Sequence, residues 1–253
     1  MNATTNDFMI YNETHLFHYT KFESALRIIA SRTLKFGRFD NMNDIAEVKR
    51  EVFGMVSPEE ILKELEKYQS ISFTKDAPSR RGFSIDSLWG YYADKGNGVC
   101  LVFDKGKIET KAKELFGTRV VIKPVKYPCN VSNAIFVEGE SKKEVGKFIK
   151  ENIDGIFFTK SIDWQLEQEY RVLLKDCDKQ ENLIFDEDTL IAVILCLPKS
   201  ENYKTTSEYK ILRKLLSETP ILYYTTKLGN KELLDENEER TCNIIEKDMQ
   251  LNS

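Results

Sequence analysis

The chain has 253 residues, of which 41% are hydrophobic, and a formal net charge of -4. That is enough apolar material for one large core or two small ones, and the acidic balance argues against bulk nucleic-acid binding, which would need a strong local basic patch. No apolar run approaches the roughly 20 residues that span a bilayer, and the opening residues have neither a basic start nor an apolar export core, so the expectation is a cytoplasmic protein without a membrane partner.

Taken in order, Leu16 to Tyr19 reads as a short strand. Thr20 and Glu23 give a capping-box signal for a helix with Phe22, Ala25, Leu26 and Ile29 on one face. His18 and Tyr19 then sit where a strand meets a helix N-terminus, a place that favours anionic ligands. The two histidines, His15 and His18, are three apart, but no third ligand lies near them. The five cysteines are scattered without a C-x-x-C pair, so neither a metal site nor a disulfide framework is expected. The run Asp40 to Glu47 predicts an Asx-type turn or a helix cap and lacks the spacing and glycine of a calcium loop.

Ser57, Pro58 and Glu60 start an exposed helix with a thin stripe of Ile61, Leu62 and Leu65. A strand follows through Ser72 and Phe73, then a turn region around Pro78 and Gly82. An aromatic-rich helix starts at Asp86 and is broken at Gly96 to Gly98, and Val99 to Phe103 is a strand. Of Trp89, Tyr91 and Tyr92, one ring is expected in the core and another along a groove. The segment RVVIKPVKY predicts an edge strand, and SKKEVGKFIKENIDG a helix capped at Ser141 and stopped at Gly155. Beyond residue 188, TLIAVILCLP is a buried strand, TTSEYKILRKLLSE a helix and PILYYTTKL a final strand. The tail after Leu234 is polar and expected to fray. With no repeat or linker, the chain reads as one domain, its core at about 16–228 and its tail at 235–253.

The stretch Phe158 to Val172 is the most informative. If Glu167 to Leu174 is extended, Glu167, Glu169 and Arg171 share one face and Tyr170, Val172 and Leu174 the other. Charges leave water only when paired or hydrogen-bonded. Two readings stand side by side: a cleft lined by these charges, or a half-exposed strand with an ion pair between Glu169 and Arg171 or Lys160. Nucleotide and hydrolase signatures are missing, with no G-x-G-x-x-G, P-loop, H-E-x-x-H or G-x-S-x-G.

HYT followed by a helix, the NMND turn, SFT, WGYYAD with GVCLVFD after it, and KSIDWQLEQEYRV occur in an order and spacing that resemble a bacterial family labelled as a domain of unknown function. That family is similar to remote ADP-ribosyltransferases, and the resemblance covers about Leu16 to Ile194. It implies an α+β fold with a mixed, split central sheet and flanking helices. It also implies NAD as substrate, with ADP-ribose transferred to a protein or nucleic-acid acceptor, or NAD cleaved at the nicotinamide glycosidic bond. Families of this kind often act as toxins or phage-defence effectors. Carried over, His18 matches a histidine that bonds the NAD ribose, with Tyr19 and Thr20 beside it in the HYT motif. Ser72 resembles a strand serine that shapes the pocket. Glu169 matches the catalytic glutamate, Glu167 is placed to orient or deprotonate the acceptor, and Trp89 or Tyr92 is the ring near nicotinamide. Two departures are Ile45 where a proline is common, and Cys196 to Pro198 where a glycine is usual. The alternative is a non-catalytic nucleotide-sensing or protein-binding module on the same fold.

Overall fold

The computed structural model describes residues 13–39, 51–78, 80–130, 134–137, 141–196, 205–216, 218–227, 230–234 and 240–244. The Asp40 to Glu47 turn lies outside them, as does Pro198. In chain order the elements are β1 His15–Thr20, α1 Phe22–Ser31, β2 Thr33–Lys35, β3 Gly37–Arg38, β4 Glu51–Gly54, α2 Pro58–Leu65, β5 Gln69–Lys75, α3 Asp86–Tyr92, β6 Val99–Asp104 and α4 Lys105–Phe116. Then come β7 Val120–Pro124, β8 Ala134–Val137, α5 Lys142–Glu151, α6 Ile153–Phe157, β9 Glu169–Leu174, β10 Asn182–Ile184, β11 Leu190–Cys196, α7 Ser207–Leu215, β12 Ile221–Lys227, β13 Asn230–Leu234 and β14 Arg240–Ile244. Strands and helices mix without strict alternation, which makes the protein α+β.

Backbone contacts group the chain into two compact units, one from Met1–Thr33, Phe73–Ile108 and Ile184–Ser253, the other from Leu34–Ser72 and Glu109–Leu183. In the first, strands run in the order β14, β13, β12, β11, β6, β1 and the C-terminal part of β5. Neighbours are antiparallel except β11 and β12, which are parallel. β6 reads VCLVFD and is buried from Val99 to Phe103, as a near-continuous apolar strand covered on both faces should be. Its start depends on Gly98, where a Cβ would lie 2.3 Å from the Thr20 carbonyl oxygen. The core beside it joins Phe17, Tyr19, Trp89, Cys100, Ile194 and Tyr224.

Two details of this unit depart from the sequence reading. Thr20 does not cap α1; it closes the β1 ladder opposite Val99, and Lys21 holds the N-cap position without a side-chain bond. Part of the polar tail is also ordered, because Arg240–Ile244 pairs antiparallel with β13 as β14.

In the second unit the N-terminal half of β5 lies beside β9, β7 pairs antiparallel with β9, and β3 with β5. α2 starts where Ser57 accepts the Glu60 N–H at 3.3 Å, as serine does at an N-cap. It is less peripheral than its thin stripe suggests, since Ile61, Glu64 and Leu65 are all buried. α5 is capped by Ser141 and buries Val145 and Ile149, one turn apart. It ends at Asn152, and Gly155, expected to stop it, lies inside α6. Ile61, Tyr68, Ile149, Phe157, Phe158 and Leu173 belong to this unit's core.

Candidate functional site

The informative stretch is only partly a strand. After Ser161, whose hydroxyl accepts the Asp163 N–H at 3.4 Å, Ile162–Glu167 winds as a 3-10 helix. Gln168 then turns into the left-handed region at φ 45°. That residue breaks the alternation, so Glu167 is not on β9 and reaches the same place from a helical turn. Glu169 and Arg171, two apart on the strand, do share a face.

These side chains form a buried cluster. Oε1 of Glu169 accepts hydrogen bonds from Ser72 Oγ at 2.6 Å and Arg171 Nε at 2.7 Å. Its Oε2 accepts from Arg171 Nη2 at 2.9 Å and lies 2.9 Å from Lys160 Nζ. Lys160 also donates to Glu167 Oε2 at 2.8 Å. Its ammonium sits 5.6 Å from the centre of the Trp164 ring. Arg171 Nη1 donates to the Phe157 carbonyl, and its guanidinium lies over the Phe39 ring. Relative exposure is 0% for Arg171, 3% for Glu169, and 6% for both Lys160 and Glu167. Two cations therefore face two carboxylates, the condition under which such charges can be buried. The backbone is fixed as well: the Glu169 N–H donates to the Tyr127 hydroxyl at 2.8 Å, and the Val125 N–H to the Glu169 carbonyl at 2.9 Å.

Burial alone would push the Glu169 carboxyl upward, but the charges of Arg171 and Lys160 and their hydrogen bonds outweigh it and hold the group down to about 2. Glu169 is thus ionised at any physiological pH. The Tyr127 phenol is pushed above its ordinary value by burial and then by the Glu169 charge. Because the folded value lies below the ordinary 4.5, the contribution of Glu169 to stability is complete above pH 4.5 and is lost as pH falls toward 2. It is worth on the order of 3 kcal/mol. We expect urea midpoints of the intact chain to fall across that window, and the Glu169→Gln variant to lose this part of the pH dependence. An unchanged slope in the variant would remove Glu169 as its source.

An ionised carboxylate has about four acceptor positions, and four donors occupy those of Glu169. Three belong to cations. The fourth, the Ser72 hydroxyl, is neutral, so another hydroxyl can replace it without altering the charge balance.

The structure brings Ser72, Glu167 and Glu169 together. His18, Tyr19, Thr20, Trp89 and Tyr92 belong to the first unit. His18 is half-buried on β1, edge-on to the Phe73 ring at 5.8 Å. The Tyr19 hydroxyl donates to the Gly82 carbonyl at 2.7 Å, and its ring meets Trp89 edge-on at 5.1 Å. Trp89 is a core residue and not the exposed platform expected of a stacking ring: it is 3% exposed, donates Nε1–H to the Phe83 carbonyl at 2.8 Å, and stacks on Tyr224 at 5.7 Å. One face and its polar edge are committed. Tyr92 packs partly buried against the same core, while Tyr91 is 70% exposed.

Sequence reasoning missed Tyr127 and Phe39, which no local spacing connects to Glu169. It named Lys160 only as one partner, where Lys160 bridges both carboxylates. Among the described residues, no group of three His, Cys, Asp or Glu side chains is placed to hold a metal ion, and no helix is long and apolar enough to cross a membrane.

Residues 88–172 match a family described as "Protein of unknown function (DUF2971)". The match spans WGYYAD through the E-Y-R of β9 and does not reach His18 or Ser72. No curated protein and no solved structure matches the chain.

Proposed function

We propose that the chain is an ADP-ribosyltransferase-like protein on a split-sheet fold of that kind, acting on NAD at the nicotinamide glycosidic bond by transfer of ADP-ribose or by hydrolysis. The observation that carries this reading is the 2.6 Å hydrogen bond between Ser72 and Glu169, two residues that the motif resemblance assigns to one pocket and that lie far apart in sequence. Breaking the bond to nicotinamide builds positive charge on the ribose, and a carboxylate held ionised in a water-poor site stabilises that charge. Glu169 would take the ribose 2′-hydroxyl in the acceptor position now filled by Ser72, a neutral-for-neutral exchange. Lys160 and Arg171 would keep the carboxylate fixed while this happens.

A second reading, a non-catalytic nucleotide-sensing or protein-binding module, is favoured by a different aspect of the same geometry. Every acceptor position of Glu169 is already filled, as in an ion cluster that only holds β5, β9 and the 3-10 turn together. Release of nicotinamide from NAD by the purified full chain separates the two. The enzyme reading expects continuous release that scales with protein concentration. No release with NAD at millimolar concentration, from protein shown to be folded, would leave the binding-module reading in its place.

A further inference from the structure

The Glu169 cluster includes a second neutral hydroxyl, that of Tyr127, with a hydrogen to give. Tyr127 follows β7 in a segment fixed by backbone bonds: the Lys126 N–H donates to the Phe158 carbonyl at 2.8 Å, and the Lys160 N–H to the Lys126 carbonyl at 3.0 Å. Its ring packs partly buried against the second unit's core. The phenol oxygen is placed by a hydrogen bond, since it accepts the Glu169 N–H at 2.8 Å. A phenol both accepts and donates, and that bond uses an acceptor position only. The hydrogen has no acceptor among the described residues. The Glu169 carboxylate offers it none, because Ser72, Arg171 and Lys160 already fill its four positions.

Exposure divides the cluster in a way that matters for a ligand. Lys160, Glu167, Glu169 and Arg171 are buried, whereas Ser72 and Tyr127 are half-buried. The charges thus lie inward, and the two hydroxyls are on the side that solvent reaches. A molecule approaching the Glu169 carboxylate meets Ser72, which it displaces, and Tyr127, whose hydrogen it takes up. Burial and the Glu169 charge keep the phenol protonated, so Tyr127 remains a donor at physiological pH.

We propose that Tyr127 is a further substrate-binding residue and that Glu169 and Tyr127 together read a sugar cis-diol: the ribose 2′-hydroxyl donates to the carboxylate, and the neighbouring 3′-oxygen accepts from the phenol. The inference rests on the NAD reading and narrows it, because it requires both hydroxyls of the nicotinamide ribose to be free. Two hydroxyls on adjacent carbons suit a carboxylate and a phenol anchored at the two ends of one residue. No bond to Tyr127 forms or breaks. It holds the sugar while the carboxylate faces the developing charge, and a donor already fixed in place needs little ordering when substrate binds.

The test measures nicotinamide release from NAD and from its analogue lacking the 3′-hydroxyl of the nicotinamide ribose, with the wild-type full chain and with Tyr127→Phe. The wild type should lose at least about tenfold in kcat/KM on the analogue. Tyr127→Phe, which keeps the ring and removes the hydroxyl, should lose about tenfold on NAD and no more on the analogue, since the same contact is already absent. A merely structural role, through the Glu169 N–H that the variant also leaves without its acceptor, would slow both substrates alike and keep the analogue's penalty. Melting curves establish that the variant is folded, and the wild-type comparison stands without it. The inference is overturned if the wild type uses both substrates equally, if Tyr127→Phe matches the wild type on NAD, or if the analogue's penalty is unchanged in the variant. In each of those cases NAD is still cleaved and the NAD reading survives, whereas no release by folded wild-type protein ends both.

Discussion

Arg171→Met should destabilise the protein by about 3–5 kcal/mol, among the largest effects a single substitution can have here. Arg171 is fully buried and supplies two of the four donors to Glu169, at 2.7 and 2.9 Å. Methionine approximates the volume and removes the charge, so a neutral cluster is left with one carboxylate in excess. It also orphans the Phe157 carbonyl, which Arg171 now satisfies, and an unsatisfied buried acceptor carries its own cost. Adding Glu169→Gln to the same chain removes that excess carboxylate and leaves Lys160 with Glu167. The double variant should therefore lose less than the sum of the two singles, by about 1–3 kcal/mol. Urea unfolding of the four proteins measures this directly. Strict additivity would mean that the buried pair does not couple.

What the sequence made legible follows from where each residue's environment is set. Caps and alternation are local, and they identified Ser57 and Ser141 at helix starts, the strand at Val99 to Phe103 and the shared face of Glu169 and Arg171. Each of these depends on neighbours within about one turn or two strand positions. The failures share a different cause. Thr20 has the residue type and spacing of a cap, but its backbone is claimed by the ladder opposite Val99, and tertiary pairing overrides a local signal. Glu167 looks like part of β9 because a single left-handed residue, Gln168, cannot be read from a glutamine. Trp89 looked available because nothing near it in sequence shows that Tyr224 covers its face and the Phe83 carbonyl its Nε1. The four charges of the cluster, Lys160, Glu167, Glu169 and Arg171, lie within one short span and were visible together, whereas its neutral partners Ser72 and Tyr127 come from β5 and from the loop after β7.

Glu169→Gln should lower nicotinamide release from NAD by about 100-fold or more, if the carboxylate stabilises charge that exists only in the transition state. Glutamine keeps the size and can still accept from Ser72, so the loss isolates the charge. The buried cluster adds a complication, because the same change leaves Lys160 and Arg171 facing Glu167 alone and should cost several kcal/mol of stability, on the order of that for a broken buried pair. Stability loss by itself thus says nothing about chemistry, and the comparison must be with a variant that unbalances the cluster equally. Glu167→Gln is that control: it removes one carboxylate from the same Lys160 ammonium and leaves Glu169 intact. With both variants assayed below their melting temperatures, the catalytic reading expects Glu167→Gln to keep at least about a tenth of the wild-type rate while Glu169→Gln does not. Ser72→Ala completes the set. It opens an acceptor position on Glu169 without touching a charge, so a ribose hydroxyl no longer has to displace the serine, and turnover should persist. Equal loss in the two glutamine variants would assign Glu169 a structural role, and a full rate in Glu169→Gln would end the transferase reading.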